Sequence, residues 1–329
     1  MTDFCSTSYL NLKGNPEFIE NIMSGIEKYG LNFGGSRFNN MCPEIYDQAE
    51  MFFSDFLSTE DTLITSSGTL AAMLFNSYLA EKSECVVFQS TDVHPAFKNP
   101  LIDHIEFRNF DQLKEMLSVQ APDISKFVVL NSINPSSLNC LLKEQLHDFR
   151  QFENTLFIID DSHGLGIIGE DGRGFSPLMI ELDLKYAIVS SLAKAYGIRG
   201  GIISGEYGLI KDLKNTRIWG GASPPPPFYF YAFLNSGHLY KEELLKLRKN
   251  LSVFLSLTKK MDIFKYSDNF PVFLFKKNID VRILDDADIV ISSFRYPTKN
   301  DPLIQRIVLN SGHHYDEIEF LVRNVIGIY

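Results

Sequence analysis

With 329 residues, 45% of them hydrophobic and 22% charged, the chain has room for a large core and a smaller lobe, and its net charge of −10 argues against a nucleic-acid or anionic-membrane surface. No stretch approaches the roughly 20 continuous apolar residues of a membrane span, and Met1-Thr2-Asp3-Phe4 lacks the basic start and apolar core of a signal peptide, so a cytoplasmic protein is expected. Cys5, Cys42, Cys85 and Cys140 show neither CxxC nor metal-like spacing, and His313-His314 reads as a helix start, so no metal is expected.

In chain order, Ser8 to Leu12 reads as a short extended lead-in. Asn15-Pro16 opens a helix with Phe18, Ile19, Ile22, Met23 and Ile26 on its apolar face, closed by Gly30. Gly34-Gly35-Ser36-Arg37 is a tight polar turn. Pro43 starts a second helix, in which Ile45, Ala49, Phe52, Phe53 and Phe56 form a core stripe. A strand over Thr62 to Thr65 leads to Ser66-Ser67-Gly68-Thr69, just ahead of a helix running to about Lys82. Small residues at a helix N-terminus leave free amides at the positive end of the dipole, which suits a phosphate, although a serine N-cap alone has the same sequence. Strands over 85–89 and 126–131 lead into Thr91-Asp92-Val93-His94 and Ser132-Ile133-Asn134-Pro135-Ser136-Ser137. A lone histidine such as His94 serves equally well as a cap or surface residue.

Phe157, Ile158 and Ile159 read as the end of a strand buried on both faces, because such strands are continuously apolar rather than alternating. The run stops at Asp160 and Asp161, which puts them and His163 at a strand's carboxyl end, where open α/β sheets hold ligands. Gly164-x-Gly166-x-x-Gly169 matches the dinucleotide fingerprint literally, but Glu170-Asp171-Gly172-Arg173-Gly174 follows where that fingerprint needs a helix, so the stretch reads as a site loop. Thirty-four residues after Asp160, Lys194 stands behind the strand over 186–189, flanked by small residues and followed by Gly197, Gly200 and Gly201. A lysine so placed suits a desolvated amine that forms a Schiff base. Pyridoxal phosphate (PLP) needs such a lysine for its aldehyde and a carboxylate to keep its ring nitrogen protonated.

Further on, 206–216 reads as a helix, and 217–227 as irregular because four consecutive prolines exclude helix or central strand. Phe228 to about Lys260 reads as one long helical connector. Strands over 272–275, 289–294 and 306–310 and a helix from about Asp316 then form a second lobe. From Asp61 to Ile203 strands alternate with helices, which predicts a mostly parallel sheet covered on both faces.

Asp160-Asp161-Ser162-His163-Gly164 through Gly169 to Gly174, with Lys194-Ala195 behind, closely resembles the α-oxoamine synthases of the fold-type I PLP-dependent enzymes, and the likeness runs in order along nearly the whole chain. The resemblance implies an α/β fold with a mostly parallel central sheet plus a smaller C-terminal α+β domain, divided as a lead-in over 1–40, a PLP-binding domain over 41–227, and a connector with the small domain over 228–329. It implies PLP on Lys194, with Asp160 at the pyridine nitrogen, His94 stacked on the ring, and His163 and Ser136 at the ring oxygen. Asp160 rather than Asp161 takes the nitrogen because it aligns with the first aspartate of the family motif, and alternate strand residues face opposite sides. Ser67, Gly68, Thr69 and Ser191 would hold the phosphate, and Ser223 would reach the partner's phosphate in a homodimer. Arg306 would bind the amino-acid carboxylate and Ser36 would lie near the substrate. The implied reaction condenses an amino acid with an acyl thioester and loses carbon dioxide; the alternative is an aminotransferase. A catalytically silent relative would have lost Lys194 or Asp160. Some positions depart from the family: Met41 and Tyr46 stand where glycine and histidine are common, the glycine stretch after Lys194 is about one residue shorter, and the chain begins almost at Tyr9-Leu10, without the usual preceding helix. These bear on the acyl-donor side, so coenzyme A is not itself implied.

Overall fold

The computed structural model describes residues 1–82, 84–98 and 102–328. Its strands are β1 (Thr2–Phe4), β2 (Asp61–Thr65), β3 (Cys85–Ser90), β4 (His104–Phe107), β5 (Ser125–Asn131), β6 (Thr155–Asp160), β7 (Tyr186–Ser191), β8 (Gly201–Gly205), β9 (Phe264–Tyr266), β10 (Val272–Phe275), β11 (Ile289–Arg295) and β12 (Leu303–Val308). Seven of them form the main sheet in the order β2-β8-β7-β6-β5-β3-β4. All of its neighbours from β7 to β4 are parallel, and only β8 runs antiparallel to both β7 and β2.

The pleat sorts the apolar runs between two cores. Phe157 and Ile159 of β6 join Val128, Leu130 and Ile188 on one face, whereas Ile158 joins Val129, Val189 and Ala71 on the other. Side chains that alternate across a strand buried on both faces need apolar residues at every position, which is why these strands read as unbroken runs. Asp160 continues the Ile158 side and Asp161 the Ile159 side, so the two adjacent carboxylates leave the strand in opposite directions.

The second sheet has the order β1-β11-β12-β10-β9. β1 lies parallel to β11, and the other pairs are antiparallel. Helices Gly237–Thr258 and Tyr315–Ile328 pack together against it. Among the described residues, no helix is long and apolar enough to cross a membrane.

Several local expectations change. The extended piece near the start is β1, while Asn11 adopts a left-handed conformation (φ 42°) ahead of the short 3-10 turn Leu12–Gly14. Helix Pro16–Tyr29 buries Phe18 and Gly25 and leaves Ile19 and Met23 exposed, because it lies close against helix Pro227–Asn235: a Cβ on Gly25 would come within 2.9 Å of the Phe228 carbonyl oxygen. Residues Arg217–Gly221 form a helical turn capped by Thr216, so only the segment up to Pro226 is irregular. The long connector is two helices broken at the buried Ser236, whose hydroxyl meets the Asn21 amide at 3.0 Å. β4, helix Phe110–Ser118 and β9 are further elements that the reading of the sequence did not include. His313 is buried rather than opening a helix: it stacks on Phe4, and its Nε2 lies 2.9 Å from the Asp3 carbonyl oxygen. The last helix begins at Tyr315.

Candidate active site

The carboxyl ends of β5, β6 and β7 bring Asn131, Asp160 and Ser191 to one edge of the main sheet, with Asn131 in register with Asp160. The loops that leave this edge, together with Thr7 and the end of β11, enclose a cavity of about 240 Å³. Asp160, His163, Lys194, His94, Ser136 and Arg306 all line it, so six of the candidate residues converge on one space. A wider groove of about 690 Å³ opens alongside and shares Asp92, Asn131 and Asn134, but Asp160, His163, Lys194 and Arg306 do not reach it.

The cavity is lined by two basic side chains, Lys194 and Arg306, and two carboxylates, Asp92 and Asp160. Burial lowers the Lys194 pKa below the ordinary lysine range; the Arg306 guanidinium acts in the same direction and Asp160 opposes it. Burial likewise lowers His94, which Lys194 lowers further and Asp160 raises. His163 lies well below the usual histidine range through burial and the nearby Lys194 and Arg306. Arg306 is only 6% exposed and donates from Nη1 to the Pro135 carbonyl at 2.9 Å, while its Nε has no partner. Its guanidinium sits 5.3 Å from the centre of the Phe294 ring, and among the described residues no carboxylate lies within ion-pair distance of it. A buried guanidinium without a counter-charge is costly unless an anion enters.

Asp161 turns away from this space. It is fully buried beneath the glycine loop and accepts from the Phe175 amide at 2.9 Å; burial pushes its pKa up to about 7. The loop folds on itself through Gly166 N–H to the Gly172 carbonyl, 2.7 Å, and Gly174 N–H to the Ile168 carbonyl, 2.9 Å. At Gly172 the backbone has φ +79° and a Cβ would sit 2.9 Å from the Gly166 carbonyl oxygen, so glycine is required. No helix opens on Gly164, Gly166 and Gly169, which removes the dinucleotide reading.

Helix Gly68–Ala80 begins after Ser67, whose Oγ accepts from the Leu70 amide at 3.1 Å, so the N-cap is formed. A Cβ on Gly68 would lie 2.7 Å from the Ser191 Cβ. Ser191 N–H donates to Ser162 Oγ at 3.0 Å, which ties the helix start, the Asp160 loop and the Lys194 loop together. Ser67, Gly68, Thr69 and Ser191 are outside the lining of the cavity. Ser36 is outside it too and accepts from the Phe38 amide. Ser223 is exposed beside a recess formed with Arg37, Ser66 and Trp219. Tyr46 is fully buried beneath Arg37 and donates to the Pro225 carbonyl at 2.5 Å, so it anchors the proline segment.

Thr7, Asn131, Pro135, Phe294 and Tyr296 also line the cavity and were not singled out from the sequence. Asn131 had a local signal, as a polar residue at a strand's end, and Pro135 belongs to the loop that follows it; Thr7, Phe294 and Tyr296 arrive from distant segments. Tyr9 stands just behind: fully buried, it places its hydroxyl 2.8 Å from His163 Nδ1.

The chain is similar along its length to proteins of known sequence. It is 26% identical over 336 residues to a putative 8-amino-7-oxononanoate synthase of Methanococcus vannielii, covering 98% of this chain and 90% of that protein. It is 22% identical over 338 residues to the 8-amino-7-oxononanoate synthase of Nitrosomonas eutropha, covering 97% and 87%. Among solved structures, the serine palmitoyltransferase of Sphingomonas wittichii superposes with a TM-score of 0.84 at 19% identity over 98% of this chain and 85% of that one. The 8-amino-7-oxononanoate synthase of Francisella tularensis gives 0.77 at 23% identity over 99% and 96%. At such identities the superpositions establish a shared fold. The family described as aminotransferase class I and II matches residues 1–324, and a match over nearly the whole chain, on a sheet whose parallel edge gathers lysine, aspartate and histidines, shows that the chain belongs to that family.

Proposed function

We propose that the chain is a PLP-dependent acyltransferase of the α-oxoamine synthase group, which condenses an amino acid with an acyl thioester and releases carbon dioxide to give an α-aminoketone. The observation that carries this reading is the convergence of Lys194, Asp160, His163, His94 and Arg306 on one cavity. The residues fit the cofactor: a desolvated amine, a carboxylate across the cavity, and a glycine-bearing helix start tied to the lysine loop. Bound there, PLP supplies an aldehyde to capture amines and a protonated ring as an electron sink.

The remaining chemistry belongs to the chain. Lys194 would hold the cofactor's aldehyde, and its Nζ, whose lowered pKa favours the neutral amine, would accept the α-proton. Asp160 would pair with the ring nitrogen, His94 would cover the ring, and His163 with Ser136 would hold the ring oxygen. Ser67, Gly68 and Thr69, with Ser191, receive the phosphate at the helix start. Arg306 takes the substrate carboxylate, for which its planar fork suits two parallel hydrogen bonds. Ser36 and Ser223 lie outside the cavity; their proposed roles, at the substrate entrance and on a partner's phosphate, require a homodimer. The domain division over 1–40, 41–227 and 228–329 and a cytoplasmic location complete the reading. The similarity to proteins named 8-amino-7-oxononanoate synthase favours acyl transfer over transamination. The test is incubation of the PLP-loaded protein with a panel of amino acids and acyl-CoA donors. Release of free thiol is expected; a 2-oxo acid with no thiol from any donor makes the protein an aminotransferase.

A further inference from the structure

We propose that Tyr9 is a positioning residue that locks His163 in the tautomer with its proton on Nε2, so that the imidazole presents a donor to the cavity and an acceptor to Tyr9. The contact is 2.8 Å between Tyr9 Oη and His163 Nδ1. Either group can donate in principle, and the surroundings decide. Tyr9 is 0% exposed, and His163 Nδ1 is the one hydrogen-bond partner its hydroxyl has among the described residues. Were Nδ1 to donate, the phenolic proton would be buried without an acceptor, which costs about 1–3 kcal/mol. With the phenol donating, both groups are satisfied. Burial raises the Tyr9 pKa, keeping the phenol protonated, and holds His163 neutral, so one ring nitrogen carries the only imidazole proton.

Tyr9 is itself held by the second lobe. Its carbonyl accepts from the Ser311 amide at 2.9 Å, and its ring lies 6.1 Å from that of Phe270. The hydroxyl thus carries a contact from the small-domain side onto a main-sheet loop. The seating of one lobe on the other thereby sets which imidazole nitrogen is a donor.

This inference rests on the PLP reading only for what the Nε2 proton meets, so the first arm of the test uses the protein without cofactor. Long-range 1H–15N correlation spectra of histidine-labelled protein, with His163 assigned by its loss in His163→Gln, are expected to show the Nε2–H tautomer. In Tyr9→Phe, which keeps the ring and is checked by thermal melting, the share of the Nδ1–H form is expected to rise. An Nδ1–H signal in the wild type, or an unchanged tautomer in a folded Tyr9→Phe, overturns the proposal. If Tyr9→Phe does not fold, the wild-type spectrum still decides. The second arm measures PLP affinity by absorbance. Tyr9→Phe is expected to weaken it about fivefold, the size of one hydrogen bond. In the His163→Gln background, whose amide donates near the Nε2 position without a tautomer, Tyr9→Phe is expected to change nothing. Equal losses in both backgrounds overturn the lock. Absence of PLP binding in every variant refutes the proposed function and leaves the tautomer result standing.

Discussion

Lys194 and Arg306 are both basic groups lining one space, and each responds to burial in its own way. Lysine loses its proton more readily; arginine keeps its own and demands an anion. Borohydride reduction of the PLP-loaded protein followed by peptide mapping should therefore label Lys194, and Lys194→Ala should lower turnover at least about a hundredfold. Label on another lysine would refute the assignment. Asp161, next to the proposed ring partner, supplies an independent check. Its pKa is raised by burial from 3.8 to about 7, so the folded protein keeps a proton that the unfolded chain has released. The stability this contributes is complete at acid pH below the unfolded value and is lost as pH rises through about 7. Between about pH 5 and 8, urea unfolding should show the wild type losing about 2 kcal/mol more than Asp161→Asn. Parallel stability curves for the two would contradict that.

At the scale of elements, the helix start at Gly68 and the end of β7 are packed as one unit. A methyl group at Gly68 has nowhere to go, since it would fall 2.7 Å from the Ser191 Cβ, and neither element can shift without moving the loop that bears Lys194. Gly68→Ala should cost about 1–3 kcal/mol through overpacking and weaken PLP binding, with the sheet otherwise intact. Denaturation together with cofactor titration checks this; unchanged PLP affinity would separate the turn from the phosphate. The glycine loop over 164–174 works in a complementary way. Its internal hydrogen bonds seal Asp161 below while Asp160 stays open to the cavity. Two neighbouring aspartates thus acquire different environments from strand alternation alone.

Across the whole molecule, large apolar side chains are exposed in many places, several of them between residues 23 and 51: Met23, Leu31, Phe38, Met41 and Met51 are 54%, 71%, 62%, 78% and 61% exposed. Contiguous apolar surface of that kind suits association, and the exposed Ser223 has no partner for its proposed role within its own chain. We expect a homodimer through this region. Light scattering at micromolar concentration should give twice the chain mass, and Leu31→Glu combined with Met41→Glu should shift it to monomer and impair turnover. A wild-type monomer with full activity would rule the dimer out.

The continuous apolar strands, the carboxylates and lysine at their ends, and the glycine loop were legible in the sequence because each depends on local pattern. Strand periodicity, a change from apolar to charged, and positive φ are properties of a few adjacent residues. Helix Pro16–Tyr29 was legible for its limits and for Phe18 and Ile22, which pack on the core, but not for Gly25, which close approach to Phe228 rather than hydrophobicity selects. The break at Ser236 was likewise invisible, because the distant Asn21 meets the serine there. Arg306 could be matched by likeness, yet its lack of a counter-charge appears only once Pro135 and Phe294 surround it. Tyr9 looked like part of a lead-in and proves to be hydrogen-bonded to a residue 154 positions away. The sequence alone determined which chemistry stands at the strand ends. The tertiary structure decided which side chains share the cavity and which nitrogen of His163 meets Tyr9, because burial and hydrogen-bond satisfaction are set by contacts between segments far apart in the chain.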